Sequence, residues 1–376
     1  AMKARTVLAL ASGLAMLVVP VLYSGCAGKP VTVGFIAPLT GTSAPIGLGG
    51  RNGFLLAFGS GSGAASGSIG KVRLLVRDDA NNPTTCLAAM QELKAEGCSL
   101  VVLGTTSQAA SLALPWAAQN DILVVSPTVS TPVQGMDNSL FVRINLSSVE
   151  YGKTIAREAV RHYGARSVAV VGDSNNTGYV EAVRSGFWQE FGAAGGDIPL
   201  FETFDSREQG YASALADRLV STGCDGLLII AASSDVVLLA KQIEKLGRRP
   251  RLYLPPWPLT PDLLDNGGTA VEGALAVSIA DLEFSSPRGS AFAQAYLTEY
   301  GEKPGFTALF GYEAAMILRS ALAARRGGTP AELRHEILSR DSFDGLQGHI
   351  RFDAEGNALR SLFVYTIEAR TFRRLN

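Results

Sequence analysis

Two short turns carry the residues best suited to chemistry. Leu103-Gly104-Thr105-Thr106-Ser107-Gln108 and Ser126-Pro127-Thr128-Val129-Ser130 each follow an apolar run with hydroxyls and free backbone N–H groups. The first leads into a helical stretch, Ala109 to Ala118, and the first turn of a helix offers unpaired donors at the positive end of its dipole. Such a turn grips an anion, a carboxylate for example, without a charged side chain. A serine acting only as a helix N-cap gives the same pattern, so both readings stand at this point.

Reaction chemistry finds no comparable support, and the chain is not expected to be an enzyme. It has no Gly-x-Ser-x-Gly elbow, and no cysteine lies near a histidine in a catalytic pattern. His162, His335 and His349 lack ligand spacing, so neither a metal nor a cofactor is expected. Asp78-Asp79 points to opposite faces of a strand and reads as a cap for the helix entered through Asn82-Pro83. Gly47-Leu-Gly-Gly-Arg-Asn-Gly53 carries Asn52 at the third glycine position of a dinucleotide fingerprint. It reads instead as the start of a helix packed close to a sheet.

The elements that position these turns alternate along the chain. Apolar runs at Val31 to Ile36, Val72 to Val76, Leu100 to Leu103, Ile122 to Val125, Val168 to Val171, Leu227 to Ala231 and Leu252 to Leu254 read as strands. Helical spacing fills Pro83 to Ala95, Val149 to Tyr163, Tyr179 to Phe191, Tyr211 to Ser221 and Asp235 to Leu246. This βαβ order predicts parallel sheets with helices on both faces. Val31 to Phe58 is echoed by Ser167 to Phe191, and Gly97 to Ala118 by Gly223 to Leu246, which suggests a duplicated architecture. Ligands bind such sheets outside the carboxyl ends of their strands, and two sheets facing each other make a cleft.

The N-terminal segment reads as an export signal. Lys3 and Arg5 precede an apolar run from Val7 to Leu22, then Ser24-Gly25-Cys26. Sixteen residues fall short of the roughly 20 that a membrane span needs. Cys26 is a candidate for lipidation, with cleavage after Ala27 the alternative. Cys86, Cys98 and Cys224 leave an odd number for pairing, and the last two precede apolar strands as small buried hydrophobes do. About twelve helical residues separate Cys86 from Cys98, roughly 18 Å at 1.5 Å per residue, too far for a disulfide. Formal net charge is −1, and Arg248, Arg249 and Arg251 form only a local cluster, so no nucleic-acid partner is expected.

The ordered set Gly34-Phe-Ile-Ala-Pro-Leu-Thr-Gly, Arg77-Asp-Asp-Ala-Asn-Asn-Pro, Val102-Leu-Gly-Thr-Thr-Ser, Val125-Ser-Pro-Thr-Val-Ser-Thr-Pro, Phe141-Val-Arg, Ala169-Val-Val-Gly-Asp, Gly311-Tyr-Glu-Ala-Ala and Gly348-His-Ile-Arg-Phe-Asp-Ala-Glu-Gly resembles type I periplasmic binding proteins of the branched-chain amino-acid (Leu/Ile/Val) receptor family. The resemblance implies an α/β fold of two doubly wound parallel-sheet lobes joined by a three-strand hinge. Crossings would fall near Arg143 to Leu146, Val277 to Ala280 and Ile350 to Asp353. Residues 1–29 would be signal and linker, 30–144 plus 280–350 lobe I, and 145–279 plus 351–376 lobe II. It further implies a periplasmic or cell-surface receptor, anchored through Cys26, that delivers a small carboxylate-bearing solute to an ABC permease. A ligand-sensing regulator of the same fold is the alternative.

By the same resemblance, Ser107 or its backbone holds the ligand carboxylate, Thr128 and Ser130 complete the grip on the carboxylate and amine, and Gln108 belongs to the same ligand site. The remaining pocket departs from the amino-acid pattern. Ile46 stands where an aromatic is usual, Thr177 and Ser233 fall near positions of tyrosines, and Trp257 occupies the place of the acidic partner for an ammonium. Asp173 and Tyr179 are candidates to replace the missing contacts. A buried ammonium without a carboxylate is costly, so the sequence points to a less polar or aromatic acid, or to an amine met by an unconventional partner.

Overall fold

The computed structural model describes residues 31–59, 67–69, 72–131, 140–325 and 327–375. The export segment and Cys26 lie outside the described residues. Among the described residues no helix is long and apolar enough to cross a membrane.

The first half builds one sheet. Its strands are β1 (Val31–Ala37), β2 (Gly67–Ile69), β3 (Val72–Asp78), β4 (Leu100–Leu103), β5 (Leu123–Ser126) and β6 (Phe141–Arg143), interleaved with helices α1 (Ala44–Ala57), α2 (Pro83–Ala95) and α3 (Ala110–Gln119). The spatial order is β2-β3-β1-β4-β5-β6, parallel except for β2. After α4 (Ser148–Tyr163), a second sheet collects β7 (Val168–Asp173), β8 (Phe201–Phe204), β9 (Gly226–Ile230), β10 (Arg251–Leu254) and β11 (Leu275–Ser278), linked by α5 (Thr177–Ala193), α6 (Tyr211–Ser221), α7 (Ser233–Lys245) and α8 (Pro261–Gly267). The parallel cores run β3-β1-β4-β5-β6 and β8-β7-β9-β10-β11, so the second repeats the first strand for strand. That is the duplication expected from the sequence.

The chain then returns to the first lobe through α9 (Pro287–Tyr300), α10 (Phe306–Ala324) and α11 (Pro330–Leu338). It forms a small antiparallel sheet of β12 (Phe343–Asp344), β13 (His349–Phe352) and β14 (Ala358–Leu359), and ends in the second sheet with β15 (Phe363–Glu368) and β16 (Thr371–Arg374). The chain passes from the small sheet to the second sheet between Leu359 and Phe363. Asn357 bridges Arg143, whose N–H donates to the Gly356 carbonyl at 2.8 Å, and these ties keep the segment with the first sheet.

Several expected strand and helix limits shift by one or two residues, as helix and strand ends do under different definitions. Two local expectations change more. Asn82, not the Asp78-Asp79 pair, caps α2, its Oδ1 accepting from the N–H groups of Thr84 at 2.9 Å and Thr85 at 3.1 Å. Asp78 instead accepts the Leu39 N–H and the Thr40 hydroxyl. The glycines of α1 serve a helix crossing: a Cβ on Gly53 would lie 1.9 Å from the Ala308 carbonyl oxygen of α10. Cys86, Cys98 and Cys224 are buried and unpaired.

The second lobe repeats that crossing between α4 and α5. A Cβ on Gly152 would meet the Val183 carbonyl oxygen at 2.0 Å, and one on Gly186 the Val149 carbonyl oxygen at the same distance. A backbone atom cannot turn aside as a side chain can, so the helices would have to separate. Gly152→Ala should destabilise the protein by about 2–3 kcal/mol, the upper part of the range for overpacked sites. Urea unfolding measures it, and a change below about 0.5 kcal/mol would show that the helices part freely.

Candidate functional site

The two sheets present the carboxyl ends of β4, β5, β7 and β10 to one cleft. There a narrow pocket of about 40 Å³, partly open to solvent, is lined from the first lobe by Ile46, Thr105, Thr106, Ser107, Thr128, Ser130 and Phe306. Asn176, Tyr179, Pro256 and Trp257 line it from the second lobe, and Asn145 from the first crossing. Six of the expected residues meet here: Ile46, Ser107, Thr128, Ser130, Tyr179 and Trp257. No lining side chain carries a full charge.

Hydrogen bonds decide what each hydroxyl has left to offer. Thr106, not Ser107, takes the capping duty at the entrance to α3, its Oγ1 accepting the Ala109 N–H at 3.2 Å and donating to Asn81 Oδ1 at 2.6 Å. Ser107 Oγ accepts from the N–H groups of Ser130 and Thr131, each at 3.2 Å. Its own proton is thereby left as a donor toward the pocket. Ser130 Oγ shares a 2.8 Å bond with Ser148 Oγ at the start of α4. Thr128 differs, because its hydroxyl donates to the Thr105 carbonyl at 2.7 Å. Its oxygen only accepts, although its backbone N–H has no partner among the described residues.

A second tier fixes these turns. Asn145 donates to the Thr128 carbonyl at 2.9 Å and accepts the Tyr151 hydroxyl at 2.5 Å. The buried Arg143 donates to the Thr131 carbonyl at 3.0 Å, and burial lowers its guanidinium to about 10. The opposite wall is aromatic. Tyr179 and Trp257 pack edge to face with centroids 5.7 Å apart, and burial pushes the Tyr179 hydroxyl well above its usual range. Trp257 is 6% exposed, and its indole N–H has no partner among the described residues.

Four expected residues lie outside the pocket lining. Asp173 spends its carboxylate on the second lobe: Oδ1 accepts from the Asn175 N–H at 3.0 Å and Oδ2 from the Ser206 hydroxyl at 2.9 Å. Thr177 is exposed, its hydroxyl donating to the Ser174 carbonyl. Ser233 begins α7. Gln108 contributes only its backbone N–H, which donates to Asn176 Oδ1 at 3.1 Å across the cleft. Asp235 nearby is buried as well, its carboxyl pushed up to about 6 by burial while Oδ1 accepts the Tyr211 hydroxyl at 2.5 Å.

The residues that sequence reasoning missed are Thr105, Thr106, Asn145, Asn176, Pro256 and Phe306. Thr105 and Thr106 stand in the first polar turn singled out from the sequence, and Asn145 in the first expected crossing. A larger concavity, about 530 Å³, opens beyond the amino ends of β9 and β10. Two of its three arginines are occupied locally: Arg249 pairs with Glu244 at 2.5 Å, and Arg251 donates to the Gly273 carbonyl while lying over Tyr163.

A family model described as periplasmic binding protein matches residues 30–371. The Leu/Ile/Val-binding protein homolog 1 of Brucella melitensis is 23% identical over 349 residues, spanning 92% of each chain. Among solved structures, a leucine binding protein from Thermotoga maritima aligns with a TM-score of 0.82 at 24% identity, covering 92% of this chain and 98% of that one. A solute binding protein of an ABC transporter from R. palustris, in complex with benzoate, aligns at 0.81 and 19% identity, covering 93% and 96%.

Proposed function

Because this chain belongs to the periplasmic binding protein family, in its type I branch with the branched-chain amino-acid receptors, we propose that it is the solute receptor of an ABC importer for small, largely apolar carboxylates, aromatic acids foremost. One observation carries the choice of ligand. The pocket offers neutral donors at one end and an aromatic wall at the other, with no lining carboxylate to meet an ammonium.

Ser107 and Ser130 hydroxyls and the Thr128 N–H hold the carboxylate, with the Arg143 charge beneath the second turn. Ile46, Phe306, Tyr179 and Trp257 hold the apolar body. The unpartnered Trp257 N–H favours a ligand with an acceptor at that end, since a buried donor left unmet costs free energy. We take the lobes as residues 31–143 with 287–359, and 148–278 with 363–375. Binding is the whole chemistry: the ligand touches both lobes only when they close, and that differential affinity shifts the hinge toward the closed form a permease would read. Anchoring through Cys26 would hold the receptor at the membrane.

Calorimetric titration with benzoate, 4-hydroxybenzoate and leucine tests the reading. An ammonium without a partner should cost leucine about 3 kcal/mol or more, over roughly a hundredfold in affinity. The aromatic acids should bind and leucine should not compete at comparable concentration. Submicromolar leucine binding would overturn the proposal.

A further inference from the structure

Asn176 stands at the N-cap position of α5, where an asparagine side chain ordinarily accepts an N–H from its own helix. It makes no such bond. Its Oδ1 reaches across the cleft to the Gln108 N–H at 3.1 Å, joining residues 68 apart in sequence and in different lobes. The preceding Asn175 has the opposite task, donating to Asp173 and Asp205 at 2.8 Å each and so holding the second-lobe turn in shape.

The amide's two ends are chemically distinct. Gln108 presents a donor, so the oxygen of Asn176 must face it and the NH₂ group must turn away. Asn176 is 4% exposed and lines the pocket, and its NH₂ has no acceptor among the described residues. On the premise that the pocket takes a carboxylate, we propose that Asn176 is the residue coupling capture to closure: Oδ1 latches the lobes through Gln108 while Nδ2 donates to the ligand carboxylate. Gln108, expected from the sequence to touch the ligand, serves as the strike plate. Its N–H sits ahead of α3, where the helix end favours an acceptor.

Two substitutions separate the two tasks. Asn176→Ala removes both. Asn176→Asp keeps an acceptor for the Gln108 N–H but turns the donor into a charged oxygen facing the ligand. Small-angle scattering of the ligand-free chain should find Asn176→Asp as compact as the wild type and Asn176→Ala more expanded. Titration with benzoate should weaken roughly tenfold for Asn176→Ala and roughly a hundredfold for Asn176→Asp, because two like charges then meet at short range. The order of the variants thus reverses between the two measurements, which a purely structural role would not produce. Unchanged scattering by Asn176→Ala would overturn the latch, and equal benzoate affinity in both variants would overturn the donor. Should benzoate fail to bind the wild type, the ligand reading falls and the donor role with it, while scattering still decides the latch.

Discussion

Arg360→Met should destabilise the protein by about 3–5 kcal/mol, the usual cost of leaving one partner of a buried ion pair uncompensated. Arg360 lies between β14 and β15, on the last crossing between lobes, and its guanidinium bonds Glu313 Oε2 on α10. The two side chains are 4% and 0% exposed. Glu313 Oε1 also accepts the Leu346 N–H at 2.9 Å, and the guanidinium stands 5.5 Å from the Phe310 ring centroid. Without Arg360, Glu313 keeps one backbone donor and faces an interior that strongly disfavours its charge. Adding Glu313→Gln should recover most of the loss, since no charge is then buried. Urea unfolding of the singles and the double mutant measures the coupling. A cost below about 1 kcal/mol for Arg360→Met would mean that water reaches Glu313.

How far the sequence discloses this molecule depends on what each residue's neighbours are. Parallel strands buried on both faces, such as Leu100–Leu103 and Gly226–Ile230, read as continuous apolar runs and are found directly. Strand β8 escapes notice because it lies at a sheet edge with only Phe204 buried, and β14 because two residues make no pattern. The polar turns after β4 and β5 are legible because a helix entrance advertises its donors. The direction of each hydroxyl is not: whether Ser107 caps α3 or donates to a ligand depends on Thr106 taking the cap and on two N–H groups arriving from residues 130 and 131. Asp173 misleads for the same reason. Its position at the end of β7 suggests a cleft carboxylate, yet Asn175 and Ser206 claim its oxygens. Asn176 is hidden by its resemblance to an ordinary N-cap.

Those hydroxyl directions rank the clamp residues in a way that residue type alone does not. In Ser107→Ala combined with Ser130→Ala, benzoate should lose two hydrogen bonds to a charged group, each worth about 1.5–3 kcal/mol. The combined loss is roughly a hundred- to ten-thousandfold in affinity. Ser107→Ala should be the more damaging single change. It removes the ligand donor and also the acceptor for the Ser130 and Thr131 N–H groups, so the second turn loses its anchor. Thr128→Val should cost less than either serine, because the Thr128 hydroxyl proton already belongs to the Thr105 carbonyl and the backbone N–H survives the substitution. Equal losses for Thr128→Val and Ser107→Ala would show that the threonine hydroxyl turns to the ligand on binding. Unchanged affinity in the double serine variant would remove the carboxylate from this end of the pocket altogether, leaving the aromatic wall as the only part of the site still supported.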